Sequence, residues 1–268
     1  MNNKNFPQAL TIAGSDSGGG AGIQADLKTF QMRRAFGLSV ITAVTAQNTL
    51  GVSDIHAIPT PTISAQLKAI ADDFTPSAFK IGMLGTAEII ACVADALKQH
   101  HFGLCVLDPV MIAKGGAPLL QDSAVEALIK HLLPLADVLT PNIPEAEVLT
   151  QLSISDKQSA EAAAKKLQQL GAKTVIIKGG HAEGNDSVDY VFTPDSAFEL
   201  RAPRFDTPHT HGTGCTFSAC ITAELAKGAT LEAAIKTAKA FITAAISQPL
   251  GIGHGHGPTN HWAYSKTV

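Results

Sequence analysis

Six consecutive residues, His211-Gly212-Thr213-Gly214-Cys215-Thr216, combine the residue types that phosphate chemistry needs. A helix-forming run from Phe217 to Lys227 follows them directly. Glycine lets backbone N–H groups turn toward a ligand, and the first turn of a helix leaves N–H donors unpaired and carries partial positive charge. The segment therefore predicts an anion site, most often one for phosphate.

Cys215 falls in the first turn of that predicted helix. The positive field at a helix N-terminus lowers the pKa of a thiol and favours the thiolate. An anion site with an ionisable side chain at its edge is what phosphoryl transfer to a hydroxyl group requires. The residues Gly212, Thr213, Gly214 and Cys215 are therefore our candidate catalytic segment.

A second glycine-rich segment, Gly14 to Gly22, follows an apolar strand near the start of the chain. Its Gly20-x-Gly22-x-x-Ala25 pattern matches the dinucleotide fingerprint loosely, but the acidic residue that should bind the ribose is missing between Asp26 and Asp54. A phosphate-binding Walker loop also fails, because no Gly-Lys-Ser/Thr triplet follows the glycines. The density of glycines favours a loop that faces a ligand over a flexible turn.

Each of several acidic and amide side chains near the predicted loops has two possible roles. Asp26 either reaches back to the ligand of the glycine loop or is a solvated carboxylate at a helix start. Asp108, before Pro109, either touches metal or phosphate or forms a turn. Asn142 and Glu145 could hold a hydrated Mg²⁺, but taken alone they are typical of an N-cap and the first turn of a helix.

Three further side chains end or follow predicted strands. Lys178 stands beside Gly179 and suits a phosphate tail, although a solvated strand-end lysine is the alternative. Gln47 can offer both a donor and an acceptor to the edge of a heterocycle. Met83 can pack on a flat ring or simply fill the core. The ten histidines show no zinc spacing, so we expect them in surface loops.

Composition excludes several classes of protein. The chain has 268 residues, of which 45% are hydrophobic and 16% charged, with a net charge of −3. It can therefore build a substantial core, and with no basic cluster beyond Arg33-Arg34 it is not expected to bind nucleic acid. No apolar run is long enough for a membrane span, and four widely spaced cysteines indicate no disulfide framework. We expect a cytoplasmic protein of a single domain, residues 1–268.

Short β-rich runs alternate with longer helical patterns along the chain, which is typical of a parallel α/β sheet. The predicted strands are 9–13, 39–46, 78–81, 104–107, 138–139 and 174–178, followed by an edge hairpin of strands 187–192 and 197–201. The predicted helices are 21–34, 62–74, 87–99, 123–133, 144–150, 156–170, 215–227 and 231–247. Because parallel sheets bind ligands at the carboxyl ends of their strands, the loops described above should lie together.

Taken in order, the motifs are more specific than any one of them. They are Gly14-Ser-Asp-Ser-Gly-Gly-Gly-Ala-Gly-Ile-Gln-Ala-Asp26, Gln47, Lys80-Ile-Gly-Met83, Asp108-Pro-Val-Met111, Asn142-x-x-Glu145, Lys178-Gly-Gly-His181 and Gly212-Thr-Gly-Cys215. From about Ala9 to His261, the chain resembles the hydroxymethylpyrimidine/phosphomethylpyrimidine kinases of thiamin biosynthesis, in the ribokinase-like superfamily.

The resemblance implies a three-layer fold, with a mostly parallel central sheet between helices and a small edge hairpin, and usually a homodimer. It also implies ATP and Mg²⁺. The substrate it implies is a small molecule, 4-amino-5-hydroxymethyl-2-methylpyrimidine, phosphorylated to its monophosphate and then to its diphosphate.

The resemblance also implies a role for each matching residue. Gly14, Asp26, Gln47, Met83, Val110 and Cys215 would line the pyrimidine pocket, with Gln47 on the polar edge of the ring. Asp108, Asn142 and Glu145 would serve the metal and the phosphates, with Asp108 and Glu145 as the metal ligands. Lys178 and Thr213 would lie along the ATP phosphates, and Lys239 would border the nucleotide.

Sugar kinases of the superfamily place an aspartate base where Cys215 stands, whereas the pyrimidine-kinase branch has cysteine. A thiolate there can take the hydroxymethyl proton, and in the second step the acceptor phosphate is already largely ionised. A pyridoxal kinase of the same cysteine-bearing branch is the main alternative function. A non-catalytic protein that binds a nucleotide or vitamin is a weaker one. Either the Lys114–Pro118 loop or the edge hairpin could close over the substrate.

Overall fold

The computed structural model describes residues 6–113, 116, 119–179 and 186–264. Its strands are β1 (Gln8–Asp16), β2 (Phe36–Asn48), β3 (Gly51–Ala57), β4 (Ala78–Ile81), β5 (Leu104–Leu107), β6 (Val138–Leu139), β7 (Thr174–Ile177), β8 (Asp186–Phe192) and β9 (Ala197–Pro203). Its helices are α1 (Gly22–Met32), α2 (Thr60–Asp73), α3 (Ala87–Gln99), α4 (Asp122–His131), α5 (Ile143–Thr150), α6 (Lys157–Gln169), α7 (Thr213–Ala226) and α8 (Leu231–Ser247), with a 3-10 turn at Leu133–Leu135.

The nine strands form one sheet in the order β3-β2-β1-β4-β5-β6-β7-β8-β9. The six strands from β2 to β7 in this order run parallel to their neighbours. The outer strands β3, β8 and β9 pair antiparallel. The predicted parallel sheet with an edge hairpin is therefore confirmed, and β8 and β9 are that hairpin.

Each face of the sheet buries its own hydrophobic core. One core contains Leu10, Ile81 and Leu107 from the strands, and helices α2 to α6 cover it. The opposite core contains Ala9, Val106 and Ile176, and α1, α7 and α8 cover it. Neighbouring residues of one strand thus point to opposite cores, as the two-residue period of a strand requires. The predicted three-layer arrangement is confirmed.

Strand β3 is absent from the sequence-based prediction. Its residues from Ser53 to Ala57 are all exposed, so it has no buried face and shows no alternation of apolar and polar residues. Strand β2 is also longer than predicted, because it continues through Gln47 and Asn48 to meet β3. An exposed edge strand leaves no hydrophobic pattern by which it could be recognised.

The parallel strands bring the predicted functional loops together at their carboxyl ends. The glycine loop follows β1, Met83 follows β4, Asp108 follows β5, Asn142 follows β6 and Lys178 follows β7. The Lys114–Pro118 loop, apart from Gly116, and residues Gly180 and His181 lie outside the described residues. No helix in the described part of the chain is long and apolar enough to cross a membrane.

Candidate active site

A cavity of about 710 Å³ opens at the carboxyl ends of the parallel strands. Except for Asp26, every residue that the sequence analysis proposed for the site lines this cavity: Gly14, Gln47, Met83, Asp108, Val110, Asn142, Glu145, Lys178, Gly212, Thr213, Gly214, Cys215 and Lys239. The motifs, which are spread over more than two hundred positions of sequence, therefore form one site.

The N-terminus of α7 points its free donors into the cavity wall. Gly212 precedes the helix with φ of 79°, and a Cβ there would lie 1.8 Å from the carbonyl oxygen of Gly20. The N–H and the hydroxyl of Thr213 both donate hydrogen bonds to the carbonyl oxygen of Thr210. Within the described residues, the N–H groups of Gly214 and Cys215 have no partner. The geometry is that of an anion site, and only glycine fits at position 212.

The first glycine loop packs directly against this helix start, and Asp16 holds the two together. Its carboxylate accepts hydrogen bonds from the N–H groups of Gly18, Gly20 and Ala21, and it lies 2.9 Å from His211 Nε2. Asp16 is 3% and His211 7% exposed. The expectation that the histidines are surface residues is therefore wrong for His211, which is buried and hydrogen-bonded to the carboxylate of Asp16.

The pyrimidine end of the predicted site contains Gln47, Met83 and Gly14. A bulge between Ala46 and Gln47 breaks the regular pairing of β2 with β3, and such bulges re-aim side chains. The Ser17 hydroxyl donates to the carbonyl oxygen of Gln47 and accepts from its N–H. A Cβ at Gly14 would lie 3.1 Å from Met83 Sδ. Gln47 and Met83 are thus both fixed beside the first glycine loop.

The phosphate end combines a carboxylate and an ammonium group beside α7. Lys178 Nζ lies 3.1 Å from Asp108 Oδ1, and Asp108 also accepts hydrogen bonds from the Thr140 and Ser218 hydroxyls. A Cβ at Gly214 would lie 3.3 Å from Lys178 Nζ. Burial raises the pKa of Asp108, but Lys178 and Lys80 outweigh it, so the pKa is lowered and the group is ionised.

Asn142 and Glu145 form the helix cap that their spacing predicts. The Glu145 N–H donates to Asn142 Oδ1, and the Asn142 N–H donates to Glu145 Oε2, both at 2.8 Å. Glu145 also lines the cavity and is 8% exposed. Burial raises the pKa of Glu145 to about 7, against the opposing effect of Lys178. Capping and a role in the cavity are therefore compatible for this carboxylate.

Asp26 is not the solvated carboxylate that one of its two predicted roles requires. Its side chain is fully buried and does not line the cavity. Its carboxylate oxygens lie 2.8 and 3.0 Å from Lys80 Nζ and accept a hydrogen bond from the Thr11 hydroxyl. Asp26 is therefore not solvated but the partner of Lys80, and its predicted contact with the substrate stays a prediction. Lys80 forms part of the cavity floor, and sequence reasoning assigned it no role.

Cys215 lies in the first turn of α7 as predicted, but its predicted thiolate character is wrong. Burial raises the pKa of the thiol to about 11, because the lowering effect of Lys80 is opposed by the carboxylates of Asp26 and Asp108. Desolvation disfavours a charged sulfur, and it is the largest effect on the pKa of Cys215. The thiol is therefore protonated at neutral pH in the absence of substrate.

The far end of the cavity is more apolar and includes Lys239. Lys239 Nζ lies 2.8 Å from Asp189 Oδ2, and Asp189 Oδ1 accepts a hydrogen bond from the Gly179 N–H. Helix α8 is thereby tied to the chain that follows β7. Apolar side chains from α5, α8 and the segment after β9 surround this end: Pro144, Val148, Phe205, Ile242 and Ile246. Sequence reasoning did not identify Asp189 or this apolar end.

No group of three or more His, Cys, Asp or Glu side chains in the described part of the chain could hold a metal ion. Asp108 and Glu145 are two carboxylates on one cavity, and both act on Lys178. Oxygen donors of this kind suit Mg²⁺, which keeps several ligands from water or substrate phosphates. The donor set fits a Mg²⁺ ion held jointly with a phosphorylated ligand.

Comparison with known proteins gives consistent matches. A model of the family described as phosphomethylpyrimidine kinase matches residues 16–260. The chain is 69% identical to the hydroxymethylpyrimidine/phosphomethylpyrimidine kinase of Haemophilus influenzae, over 98% of this chain and 99% of that one.

Two solved structures share the fold. One is the phosphomethylpyrimidine kinase of Clostridium difficile, with a TM-score of 0.80 and 44% identity, covering 89% of this chain and 99% of that one. The other is the pyridoxal kinase of Staphylococcus aureus in complex with AMP-PCP and pyridoxal. It has a TM-score of 0.90 and 37% identity, covering 97% of this chain and 95% of that one.

Proposed function

The chain belongs to the phosphomethylpyrimidine kinase family, and from this premise we propose how its cavity performs two successive phosphoryl transfers. It is a kinase of thiamin biosynthesis that acts on hydroxymethylpyrimidine and on phosphomethylpyrimidine. The phosphoryl donor is ATP, which the AMP-PCP complex of a relative supports. The observation that carries the proposal is that Gln47 and the N-terminus of α7 line the same cavity.

The pyrimidine is bound between the first glycine loop and α7. Gln47 meets the polar edge of the ring, Met83 packs on its face, and Gly14 leaves room for Met83. Val110 lines the same end. This arrangement directs the hydroxymethyl group toward Cys215, which is where the acceptor oxygen must stand for transfer.

The phosphoryl group in transfer is held by Gly212, Thr213 and Gly214 at the start of α7, with Lys178 beside it. Preorganised N–H donors and an ammonium group stabilise negative charge that spreads over the phosphoryl oxygens. Asn142 and Lys239 complete the path of the nucleotide, whose base enters the apolar end near Val148 and Ile246. Donor and acceptor thus approach the helix start from opposite ends of the cavity.

Mg²⁺ would be held by Asp108 and Glu145 together with the ATP phosphates. When bound, the ion neutralises phosphate charge. The ionised Asp108 is suited to this contact at neutral pH. Glu145, with a pKa of about 7 in the free cavity, would be ionised fully once a cation binds, because an adjacent positive charge favours the carboxylate.

Cys215 contacts the hydroxymethyl group as a neutral thiol. In a loose transition state the acceptor oxygen gains little bond order until late, so a strong base is not required at the start of transfer. The thiol can accept a hydrogen bond from the hydroxyl and orient it, and the hydroxyl proton passes to an oxygen of the transferred phosphoryl group as the new bond forms. In the second step the acceptor is a phosphate monoester, for which charge neutralisation by Lys178 and α7 matters more than proton removal.

Assembly as a homodimer is part of the proposal. The outer edge of β3 is exposed, and the apolar residues Val44, Leu50 and Ile55 of the β2–β3 hairpin are 45%, 69% and 39% exposed. Exposed apolar patches of this kind mark interfaces. Light scattering of wild type and of Ile55→Lys tests the dimer, which the lysine should weaken.

A cytoplasmic location is supported by the cysteines, all four of which are free.

The proposed activity is tested with ATP, Mg²⁺ and the hydroxymethylpyrimidine, with chromatographic separation of the products. Monophosphate should form first and diphosphate later from the same enzyme. Absence of diphosphate would remove the second step from the proposal. Pyridoxal serves as the comparison substrate: the identity to a pyrimidine kinase is higher than that to a solved pyridoxal kinase, so pyridoxal should be the poorer acceptor.

A further inference from the structure

A chain of polar side chains links the hydrogen-bonded pair of Asp16 and His211 to Gln47 at the pyrimidine end of the cavity. His211 Nε2 lies 2.9 Å from Asp16 Oδ2 and 3.4 Å from the amide nitrogen of Gln47. On its other side, the amide oxygen of Gln47 lies 3.1 Å from Thr45 Oγ1. Thr45 Oγ1 also lies 3.0 Å from the carbonyl oxygen of Ser15. All five residues line the cavity.

The Asp16 carboxylate determines where the His211 proton lies. Burial raises the pKa of Asp16, but the hydrogen bonds from His211 and from the N–H groups of Ala21 and Gly18 outweigh it and lower the pKa. An ionised carboxylate can only accept hydrogen bonds. His211 Nε2 must therefore carry a hydrogen and donate it to Asp16, whether the ring is neutral or charged.

The two neighbours of Gln47 require one orientation of its amide. The single hydrogen on His211 Nε2 is donated to Asp16 at 2.9 Å and can at most be shared with Gln47 at 3.4 Å. An amide nitrogen facing it would set two N–H groups against each other, so the atom of Gln47 that faces His211 is the acceptor oxygen. The Ser15 carbonyl can only accept, so the single Thr45 hydroxyl hydrogen goes to it. Thr45 Oγ1 must then accept from the amide nitrogen of Gln47. Since amide orientation is assigned from such networks, Gln47 Oε1 faces His211 and Nε2 faces Thr45.

We propose that Asp16 and His211 are positioning residues that fix the Gln47 amide and thereby make the site select a ring edge with an amino group beside a ring nitrogen. The inference rests on the proposed function, in which Gln47 meets the polar edge of the pyrimidine. With the amide fixed, Oε1 accepts from the amino group and the second N–H of Nε2 donates to the ring nitrogen. A ring with a carbonyl in place of the amino group presents an acceptor and an N–H in the reverse order, and it needs the amide reversed.

The experiment compares two substrates, the 4-aminopyrimidine and its 4-oxo analogue, by their kcat/KM values. His211→Met removes the donor, whereas His211→Gln keeps an N–H at a similar reach and serves as the conservative control. Because one hydrogen bond contributes about 1 kcal/mol, His211→Met should lower the amino-to-oxo preference roughly fivefold to tenfold. His211→Gln should keep the preference within about threefold of wild type. In a Gln47→Ala background, His211→Met should leave the remaining preference unchanged.

Thr45→Val tests the other end of the network without touching Asp16 or His211, and it covers the case that His211→Met does not fold. It should lower the same preference, because it removes the acceptor for the Gln47 amide nitrogen. An equal loss of kcat/KM on both substrates would show that His211 only holds the loop together, and this would overturn the inference. So would an unchanged preference in both variants. A wild-type enzyme inactive on the aminopyrimidine would instead contradict the proposed function, and the inference with it.

Discussion

Two lysine–aspartate pairs lie close to Cys215, and they differ in their access to the cavity. In the Lys80–Asp26 pair, both side chains are fully buried. In the Lys178–Asp108 pair, the lysine is 17% exposed while the aspartate is 1% exposed. The chemistry of the two pairs is the same, but only Lys178 can exchange part of its contact with Asp108 for a phosphate oxygen. We infer that the first pair supports the site from within and the second acts on the ligand.

Both charged groups of the interior pair make their polar contacts with other protein groups. Burial alone would lower the pKa of Lys80, but the Asp26 carboxylate outweighs it and raises the pKa, so the lysine remains charged. Asp26 also accepts the Thr11 hydroxyl at 2.6 Å. Such a pair contributes little net stability compared with apolar residues, but removal of one partner leaves an unpaired charge in the interior.

Lys80→Met should therefore give the largest loss of stability. The free energy of unfolding should fall by about 3–5 kcal/mol, because Asp26 would be buried without its cation. Urea unfolding followed by circular dichroism measures it. The double variant Lys80→Met/Asp26→Leu removes both charges and should recover much of the loss. If the single variant lost less than about 1 kcal/mol, the two pairs would not differ in the way we describe.

Lys178→Met makes the same substitution at the pair that faces the cavity, and its main effect should be on catalysis. Loss of a preorganised cation at the phosphoryl group should lower kcat roughly 10²–10³-fold. Stability should fall less than in Lys80→Met, because Asp108 keeps hydrogen bonds from Thr140 and Ser218. Steady-state kinetics and urea unfolding of both variants give the comparison. A Lys178→Met enzyme with normal kcat would remove Lys178 from the proposed phosphate contact.

The difference between the pairs also shows what sequence can predict. Lys178, Asp108 and Asn142 follow predicted strands, and because parallel strands end at one edge of the sheet, their convergence could be expected. The partnership of Asp26 with Lys80 depends on how α1 packs on β1 and β4, which no local pattern contains. One signal was present, since Lys80 stands within the short apolar strand Ala78–Ile81. A lysine there needs a buried carboxylate.

The helices and the parallel sheet were predictable because each has one buried face or is wholly buried. Strand β3 was not, because it has no buried face. The charge state of Cys215 was mispredicted for a related reason. A helix start can be recognised from Gly212 and Gly214, but the burial that raises the pKa of the thiol depends on tertiary packing.

Alkylation of Cys215 tests that charge state and its dependence on the interior pair. A Cys92→Ser background removes the other partly exposed thiol. Since the thiolate reacts and the pKa is about 11, the rate with iodoacetamide should still rise about tenfold per pH unit between about pH 8 and about pH 10, where an unperturbed thiol levels off. Lys80→Met should slow the reaction further, because Lys80 lowers the thiol pKa. A plateau near pH 8.5 would contradict the neutral thiol.

The smallest effect is expected at a third lysine–aspartate pair, which lies on the surface and serves as the reference for the interior pair and the cavity pair. Lys68 and Asp72 lie one turn apart on α2, with Nζ 2.7 Å from Oδ2, and their side chains are 65% and 57% exposed. Water solvates both groups with or without the contact, so Lys68→Met should change the free energy of unfolding by less than about 0.5 kcal/mol and leave kcat unchanged. The same substitution is thus made at three lysines and measured by the same urea unfolding and steady-state assays. Differences between the three variants then report the burial of each pair and not the change from lysine to methionine. A loss at Lys68 equal to that at Lys80 would mean that methionine itself, and not burial of the partner carboxylate, causes the destabilisation.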